Sequence, residues 1–244
     1  MANRKGGSGK STVCRARASA AGARGENVTL FDTDSSRSCF KWQEARRARG
    51  TWSPRVEVIH SLEVGRIADT IAEIYDQPDQ EHLILTDTFG GASETHDELA
   101  TLAHLVLTPM LRHGPIARRP GRRRSGMSRC AGGCRPPTRL HRSACCSTVC
   151  RSASPKTERE IVARVYGTLP AFESFLSNRA ACIRMDKEGL LGPIRDAMVN
   201  RALARHVQTT LDEAEAVLAE IDSAIRRDAR AAGPWSRASP SPLS

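Results

Sequence analysis

Eight residues near the start of the chain have the composition of a phosphate-binding loop. Three glycines would let the backbone fold closely around a polyphosphate, with its amide N–H groups pointing inward. Lys10 would supply a cation to the phosphates, and the Ser11 hydroxyl is a ligand type that Mg²⁺ accepts. A helix beginning near Lys10 would add its positive N-terminal dipole. The residues predicted to bind the phosphates of a nucleotide are Lys5, Gly6, Gly7, Ser8, Gly9, Lys10, Ser11 and Thr12.

Carboxylates follow two apolar runs further along the chain. Residues 28–31 lead into Asp32 and Asp34, and residues 83–85 lead into Asp87. Short apolar runs of this kind are typical of buried parallel strands, which deliver side chains to their carboxyl edge. Each run could instead be a core strand with a solvated end, and the loop could be a flexible, glycine-rich start. Together, the three acids and the glycine-rich loop favour a site for phosphate chemistry over a solvated strand end and over a flexible start.

The loop departs from the general P-loop pattern in a specific way. Arg4 stands where the first glycine is expected, and a second lysine, Lys5, follows it. The form Lys-Gly-Gly-x-Gly-Lys-Ser/Thr resembles the deviant P-loop of the ParA/MinD family of ATPases. The acids at 32 and 34 resemble that family's second acidic motif, and Asp87-Thr88 resembles its Walker B segment. Trp42 is similar to a tryptophan of the plasmid-partition branch, although serines at 35 and 36 replace the Pro and Gln found there.

The resemblance implies a function and a set of roles. It implies ATP and Mg²⁺ as cofactors, and a homodimer in the ATP state in which Lys5 reaches the partner's nucleotide. The dimer would bind DNA non-specifically to partition or position plasmid or chromosomal DNA, and a partner protein would stimulate ATP hydrolysis. Asp34 would orient the attacking water. The implied catalytic residues are Lys5, Lys10 and Asp34, and the implied metal-binding residues are Ser11, Asp32 and Asp87.

Hydrophobic periodicity alternates between strand and helix patterns up to residue 109. The alternation predicts an α/β fold with a mostly parallel sheet flanked by helices, similar to a P-loop NTPase. Compared with the family, the first strand of the sheet is expected to be missing, because only Met1 to Arg4 precede Lys5. Predicted helices cover residues 10–23, 36–49, 64–75 and 95–103, and predicted strands cover 28–32, 56–59, 82–87 and 104–109.

Residues 112–152 differ from the rest of the chain. They contain eleven arginines and no lysine or acid, so they contribute +11 while the remainder of the chain sums to −1 of the total +10. They also contain Cys130, Cys134, Cys145, Cys146 and Cys150. A frame-shifted translation is the favoured hypothesis, because the stretch has neither strand nor helix period. A disordered basic arm that binds nucleic acid and a zinc site are the alternatives.

The predicted organisation therefore has four parts. Residues 1–110 form the nucleotide-binding half of one domain, 111–154 an aberrant segment predicted to be disordered, 155–228 the helical remainder of the domain, and 229–244 a disordered tail. On one C-terminal helix an apolar seam is predicted to pack on the sheet; its residues are Leu211, Ala214, Leu218, Ile221 and Ile225. Candidate DNA-contacting residues are Arg195, Arg201, Arg205, Arg226 and Arg227.

Two other classes of function remain open from the sequence. The chain could be an inactive remnant of such an ATPase, or a basic module that binds nucleic acid independently of ATP. It carries neither an export signal nor an apolar run long enough to span a membrane, so a soluble, cytoplasmic protein is expected.

Overall fold

The fold is taken from a computed structural model of the protein. It describes residues 9–49, 52–77, 80–89, 93–109, 143–146, 171–177 and 180–231. The helices are α1 (Lys10–Ala23), α2 (Ser38–Arg47), α3 (Val64–Tyr75), α4 (Glu94–Leu102), α5 (Ala180–Glu188), α6 (Leu191–Asp196) and α7 (Arg201–Ala231). The strands are β1 (Asn27–Thr33), β2 (Val56–His60), β3 (His82–Thr88), β4 (Val106–Pro109), β5 (Ser143–Cys146) and β6 (Ala171–Phe172).

The strands form two three-stranded parallel sheets. One has the order β2-β1-β3 and the other has the order β4-β5-β6. In the first sheet β1 pairs with both neighbours, so its backbone hydrogen bonds are satisfied on both sides and its side chains from Val28 to Thr33 are buried. The predicted α/β fold with a parallel sheet and flanking helices is confirmed.

Side chains alternate between two cores because successive residues of a strand point to opposite faces of the sheet. Val28, Leu30 and Leu85 join the larger core, which also contains residues of α1, α2, α5, α6 and α7. Phe31 points the other way and packs with Ile67 of α3 and Leu99 of α4 in a smaller core. The first sheet is therefore covered by helices on both faces.

Helix α1 lies close to the first sheet. A Cβ atom at Gly22 would lie 2.8 Å from Cγ2 of Val56, so glycine permits this approach. The apolar seam of α7 is buried, as predicted, with Leu211 fully enclosed and Ile225 partly buried. Its packing partners are chiefly α1 and α6, so the seam lies on a layer of helices and not directly on the sheet as predicted.

Three features of the second half of the chain differ from the sequence prediction. Strand β5 lies inside the segment 111–154, for which no strand was predicted, and it pairs with β4 and β6. A strand of only four residues is too short for a period of two to stand out from an irregular background. Strand β6 likewise interrupts the region predicted to be helical. Helix α7 runs to Ala231, past the predicted start of the tail at residue 229. The remaining residues of 111–154, and those beyond 231, lie outside the described residues.

Candidate functional site

Two acids meet at the carboxyl edge of the first sheet. In the parallel register of β1 and β3, Asp32 is the direct partner of Asp87, two residues beyond the pair of Leu30 and Leu85. Both carboxylates therefore lie on the face of the sheet that carries the larger core. Both are almost completely buried, with exposed fractions of 0% for Asp32 and 1% for Asp87. Two buried carboxylates side by side are costly unless hydrogen bonds or a cation offset their charge.

Asp32 is supported by backbone donors. Its Oδ2 accepts hydrogen bonds from the N–H groups of Cys39 at 2.8 Å and Phe40 at 3.0 Å, in the first turn of α2. Its Oδ1 accepts a third bond, from the N–H of Asp34 at 3.2 Å. The first N–H groups of a helix have no partner inside the helix, so a carboxylate placed there satisfies them and interacts favourably with the helix dipole. Asp32 thereby fixes where α2 begins.

The two carboxylate oxygens of Asp87 have different environments. Its Oδ2 accepts a hydrogen bond from the Cys39 thiol, with Sγ and Oδ2 3.3 Å apart. Its Oδ1 is buried and has no hydrogen-bond partner among the described residues. Burial raises the pKa of Asp87 above the ordinary carboxyl value. Hydrogen bonds from the side chains of Ser11 and Cys39 act to lower this pKa, and the charge of Asp32 adds to the rise. Burial also raises the pKa of the Cys39 thiol well above its ordinary value, which keeps the thiol protonated as a donor.

The end of the predicted phosphate loop leads directly into α1. Gly9 is the N-cap of this helix and has a φ of 79°, a left-handed conformation that glycine adopts without strain. Lys10 is buried in the first turn, and Ser11 and Thr12 are partly buried beside it. The helix dipole makes this end of α1 electropositive, and the side chain of Ser11 lies within hydrogen-bond reach of Asp87. The residues of the predicted loop that lie outside the described ones are Lys5, Gly6, Gly7 and Ser8.

Asp34 begins a tight turn between β1 and α2. Its Oδ1 accepts the N–H of Ser36 at 2.8 Å, and its carbonyl accepts the N–H of Arg37 at 2.9 Å. Arg37 has a φ of 56°, an uncommon value for a residue with a side chain, and its guanidinium lies 4.9 Å from the centre of the Phe40 ring. These bonds order a turn that lacks the family's proline. The half-buried Asp34 carboxylate is held at the same edge as Asp32.

The residues fit a magnesium ion. Mg²⁺ prefers oxygen ligands and is commonly held by one or two carboxylates together with phosphate oxygens and water. Ser11, Asp32 and Asp87 offer oxygens of this kind, and Oδ1 of Asp87 is a buried acceptor that a cation would satisfy. Among the described residues, no group of three or more His, Cys, Asp or Glu side chains is placed to hold a metal ion. Phosphate oxygens and water are the ligands that commonly complete such a site.

Two residues next to this edge were not predicted from the sequence. Cys39 contacts both acids, and Arg15 of α1 donates to the carbonyl of Ser38, the first residue of α2, at 2.7 Å. Arg15 also pairs with Asp186 of α5 at 2.7 Å and stacks on Trp42 at 5.2 Å. Neither residue belongs to a motif, so only the packing of α1 against α2 identifies them.

Comparisons with known proteins agree with this arrangement. Residues 1–114 match the model of the VirC1 protein family. Over 109 residues the chain is 32% identical to the protein virC1 of Rhizobium radiobacter and 29% identical to that of Rhizobium rhizogenes. The matched segments cover 44% of this chain and 46% of each relative, so the chain spans about half the length of the curated relatives it matches.

These findings support the resemblance of residues 1–114 to the ParA/MinD family of ATPases. The match to VirC1 contains the phosphate loop and all three acids, the motifs on which the family resemblance depends. Beyond residue 114 the chain is similar to MinD in fold alone. The MinC:MinD cell division protein complex of Aquifex aeolicus contains a chain that covers 89% of this one with a TM-score of 0.55 at 14% identity.

A second solved structure gives the same result. The MinD cell division protein of Aquifex aeolicus superposes with a TM-score of 0.53 at 15% identity, and 95% of that chain is covered. The ParA/MinD fold therefore extends through the C-terminal helices. Among the described residues, no helix combines the length and the apolar character needed to cross a membrane.

Proposed function

We propose that this chain is a Mg²⁺-dependent ATPase of the ParA/MinD type. The observation that carries the proposal is the buried, unpaired Oδ1 of Asp87, in register with Asp32 at the sheet edge where α1 begins. An unpaired buried carboxylate oxygen costs about 1–3 kcal/mol in a folded protein. A cation would offset that cost, so we expect Mg²⁺ to bind at this oxygen together with a nucleotide.

The roles of the residues follow from their positions. The loop from Lys5 to Thr12 would hold the phosphates with its backbone N–H groups, and Lys10 would neutralise phosphate charge. Ser11, Asp32 and Asp87 would hold Mg²⁺, which when bound stabilises charge on the phosphate oxygens. Asp34 would orient the attacking water, since the turn to Ser36 fixes one of its oxygens. Lys5 would act across a homodimer, on the partner's nucleotide.

We further propose that ATP drives dimerisation and non-specific DNA binding, for the partition or positioning of plasmid or chromosomal DNA. The family relation supports this. One structural neighbour is a complex of MinD with a second protein, MinC, which supports a protein partner here; stimulation of ATP hydrolysis by that partner is part of the proposal. Exposed arginines on α7 are candidates for the DNA face: Arg201, Arg205, Arg226 and Arg227. Arg195 is a weaker candidate, because it is engaged with Asp196 and Gln208.

Two substitutions test the ATPase proposal in the full chain. Lys10→Ala should abolish binding of a fluorescent ATP analogue, because it removes the cation that offsets phosphate charge. Asp34→Ala should retain binding and lower turnover on the order of a hundredfold, the usual contribution of a positioned proton acceptor. Parent-level turnover by Asp34→Ala would contradict the role of Asp34. A folded parent chain that binds no nucleotide would instead indicate an inactive remnant.

The DNA proposal needs a separate measurement. DNA binding and the mass from light scattering should both rise with ATP and fall with ADP, because the dimer would present two copies of the basic face. Equal DNA binding with and without nucleotide would contradict the switch and favour a basic module that acts independently of ATP.

A further inference from the structure

Cys39 is the one described residue for which the structure gives hydrogen bonds to both acids of the site. Its backbone N–H donates to Oδ2 of Asp32 at 2.8 Å, and its thiol donates to Oδ2 of Asp87, with Sγ and Oδ2 3.3 Å apart. The side chain is fully buried, with an exposed fraction of 0%. A single residue at the start of α2 thus links the ends of β1 and β3.

The thiol bond makes the two oxygens of Asp87 unequal. A carboxylate rotates about its last torsion with little restriction, so a bond to one oxygen is needed to fix the plane of the group. The carbonyl of Asp87 also accepts the hydroxyl of Thr33 at 3.1 Å, which holds the backbone of β3 in place. With the backbone and Oδ2 both held, the direction of the unpaired Oδ1 is determined.

We propose that Cys39 is a positioning residue for the metal site: its thiol holds Oδ2 of Asp87 so that Oδ1 is directed toward the Mg²⁺ of a bound nucleotide. The inference rests on the proposed function, because Mg²⁺ is expected only with the nucleotide. It adds a residue from outside the predicted motifs to the metal site. It also links the start of α2 to the metal, because the same residue binds Asp32.

The test compares two pairs of variants that differ only in a donor. Cys39→Ser carries one hydroxyl more than Cys39→Ala, and Cys39→Val and Cys39→Thr have nearly the same shape but Thr has a hydroxyl where Val has a methyl group. All four retain the backbone N–H that binds Asp32. The matched control is Cys182→Ala, which removes another buried thiol that also donates a hydrogen bond, to the carbonyl of Ser177 at 3.6 Å in the C-terminal part.

The measurement is the Mg²⁺ concentration that half-saturates binding of a fluorescent ATP analogue by the full chain, with thermal melting to confirm folding. Within each pair the variant without a donor should need roughly three- to tenfold more Mg²⁺, the effect of losing one hydrogen bond. Binding of the analogue in EDTA should be equal within each pair. Cys182→Ala should keep the parent value even where its melting temperature falls.

The outcomes separate the inference from the proposed function. If the folded parent does not bind the analogue in Mg²⁺, the proposed function fails and the inference fails with it. If the parent binds but both pairs show equal Mg²⁺ dependence, the inference alone is overturned and Cys39 is a packing residue. The second pair keeps the test decisive if Cys39→Ala does not fold.

Discussion

The indole N–H of Trp42 donates a hydrogen bond to the backbone carbonyl of Met185, 2.8 Å away and 143 positions later in the chain. Trp42 lies on α2, directly after the acidic turn, and Met185 lies on α5. Beside this bond, Arg15 of α1 pairs with Asp186. The C-terminal helices, which lie beyond the segment that matches the VirC1 family, are therefore attached to the two helices that begin at the candidate site.

Trp42→Phe should lower the free energy of unfolding by about 1 kcal/mol, because it removes a buried hydrogen bond, although the carbonyl of Met185 keeps its bond from the N–H of Gly189 at 3.0 Å. Urea unfolding measures the loss, and hydrogen exchange should show faster exchange in α5. The matched control is Trp52→Phe, since Trp52 donates to the carbonyl of Val56 at 2.6 Å within the N-terminal part. Equal exchange in α5 for both variants would show that the bond does not couple the two parts.

Asp87→Asn should stabilise the nucleotide-free chain at neutral pH while weakening Mg²⁺-dependent nucleotide binding. The pKa of Asp87 is raised in the folded state, so the folded chain favours the protonated carboxyl. The stability that this protonated carboxyl contributes is fully present below pH 3.8, the pKa in the unfolded chain, and is lost as the pH rises through the pKa in the folded chain. At pH 7 the ionised carboxylate is therefore destabilising.

The expected gain for Asp87→Asn is on the order of 1 kcal/mol at pH 7, and it should shrink as the pH approaches 4. Urea unfolding at several pH values measures it. Asp34→Asn is the control, because Asp34 is half-buried and bound within its own turn. If Asp87→Asn is less stable than the parent at pH 7, the prediction is wrong, because the charge of the buried carboxylate is then offset in the nucleotide-free chain.

Glu213→Ala should loosen the chain that follows β6. Glu213 on α7 accepts the backbone N–H of Ser177 at 2.8 Å and its hydroxyl at 2.9 Å, and Glu220 accepts the N–H groups of Glu173 and Ser174. Hydrogen bonds to a charged acceptor contribute about 1.5–3 kcal/mol each. Exchange of the Ser177 amide should rise on the order of tenfold or more. Glu215→Ala, on the same helix, should leave that amide at the parent rate, and an equal rise in both variants would argue against a specific clamp.

His82→Gln should reduce the loss of stability below neutral pH. Burial lowers the pKa of His82 in the folded chain, where its Nε2 lies 2.9 Å from the Thr29 hydroxyl. The unfolded chain therefore takes up a proton near pH 6.5 that the folded chain does not, so this stabilising contribution is present above pH 6.5 and is lost as the pH falls through the folded pKa. Melting temperatures between pH 7.5 and 5.5 measure the effect. The exposed His206 provides a control, and an unchanged pH dependence in His82→Gln would contradict the prediction.

Much of the N-terminal part could be predicted from the sequence. The strand that ends in Asp32 and the helix that begins at Lys10 follow from local patterns, because an apolar run and a phosphate-loop motif are contained within short windows. The C-terminal seam around Leu211 was also visible, since helical periodicity shows which face is buried. The seam did not reveal its partner, because periodicity identifies a buried face and not the surface that covers it.

The sequence by itself determined which residue types could bind a phosphate and a metal, and that they follow strands of a parallel sheet. Only the tertiary structure decided that Asp32 and Asp87 stand opposite each other, that the Cys39 thiol holds one oxygen of Asp87, and that Trp42 reaches Met185. The physical reason is separation along the chain. Strand register and buried hydrogen bonds between residues tens to hundreds of positions apart depend on how whole elements pack, and no local pattern encodes that distance.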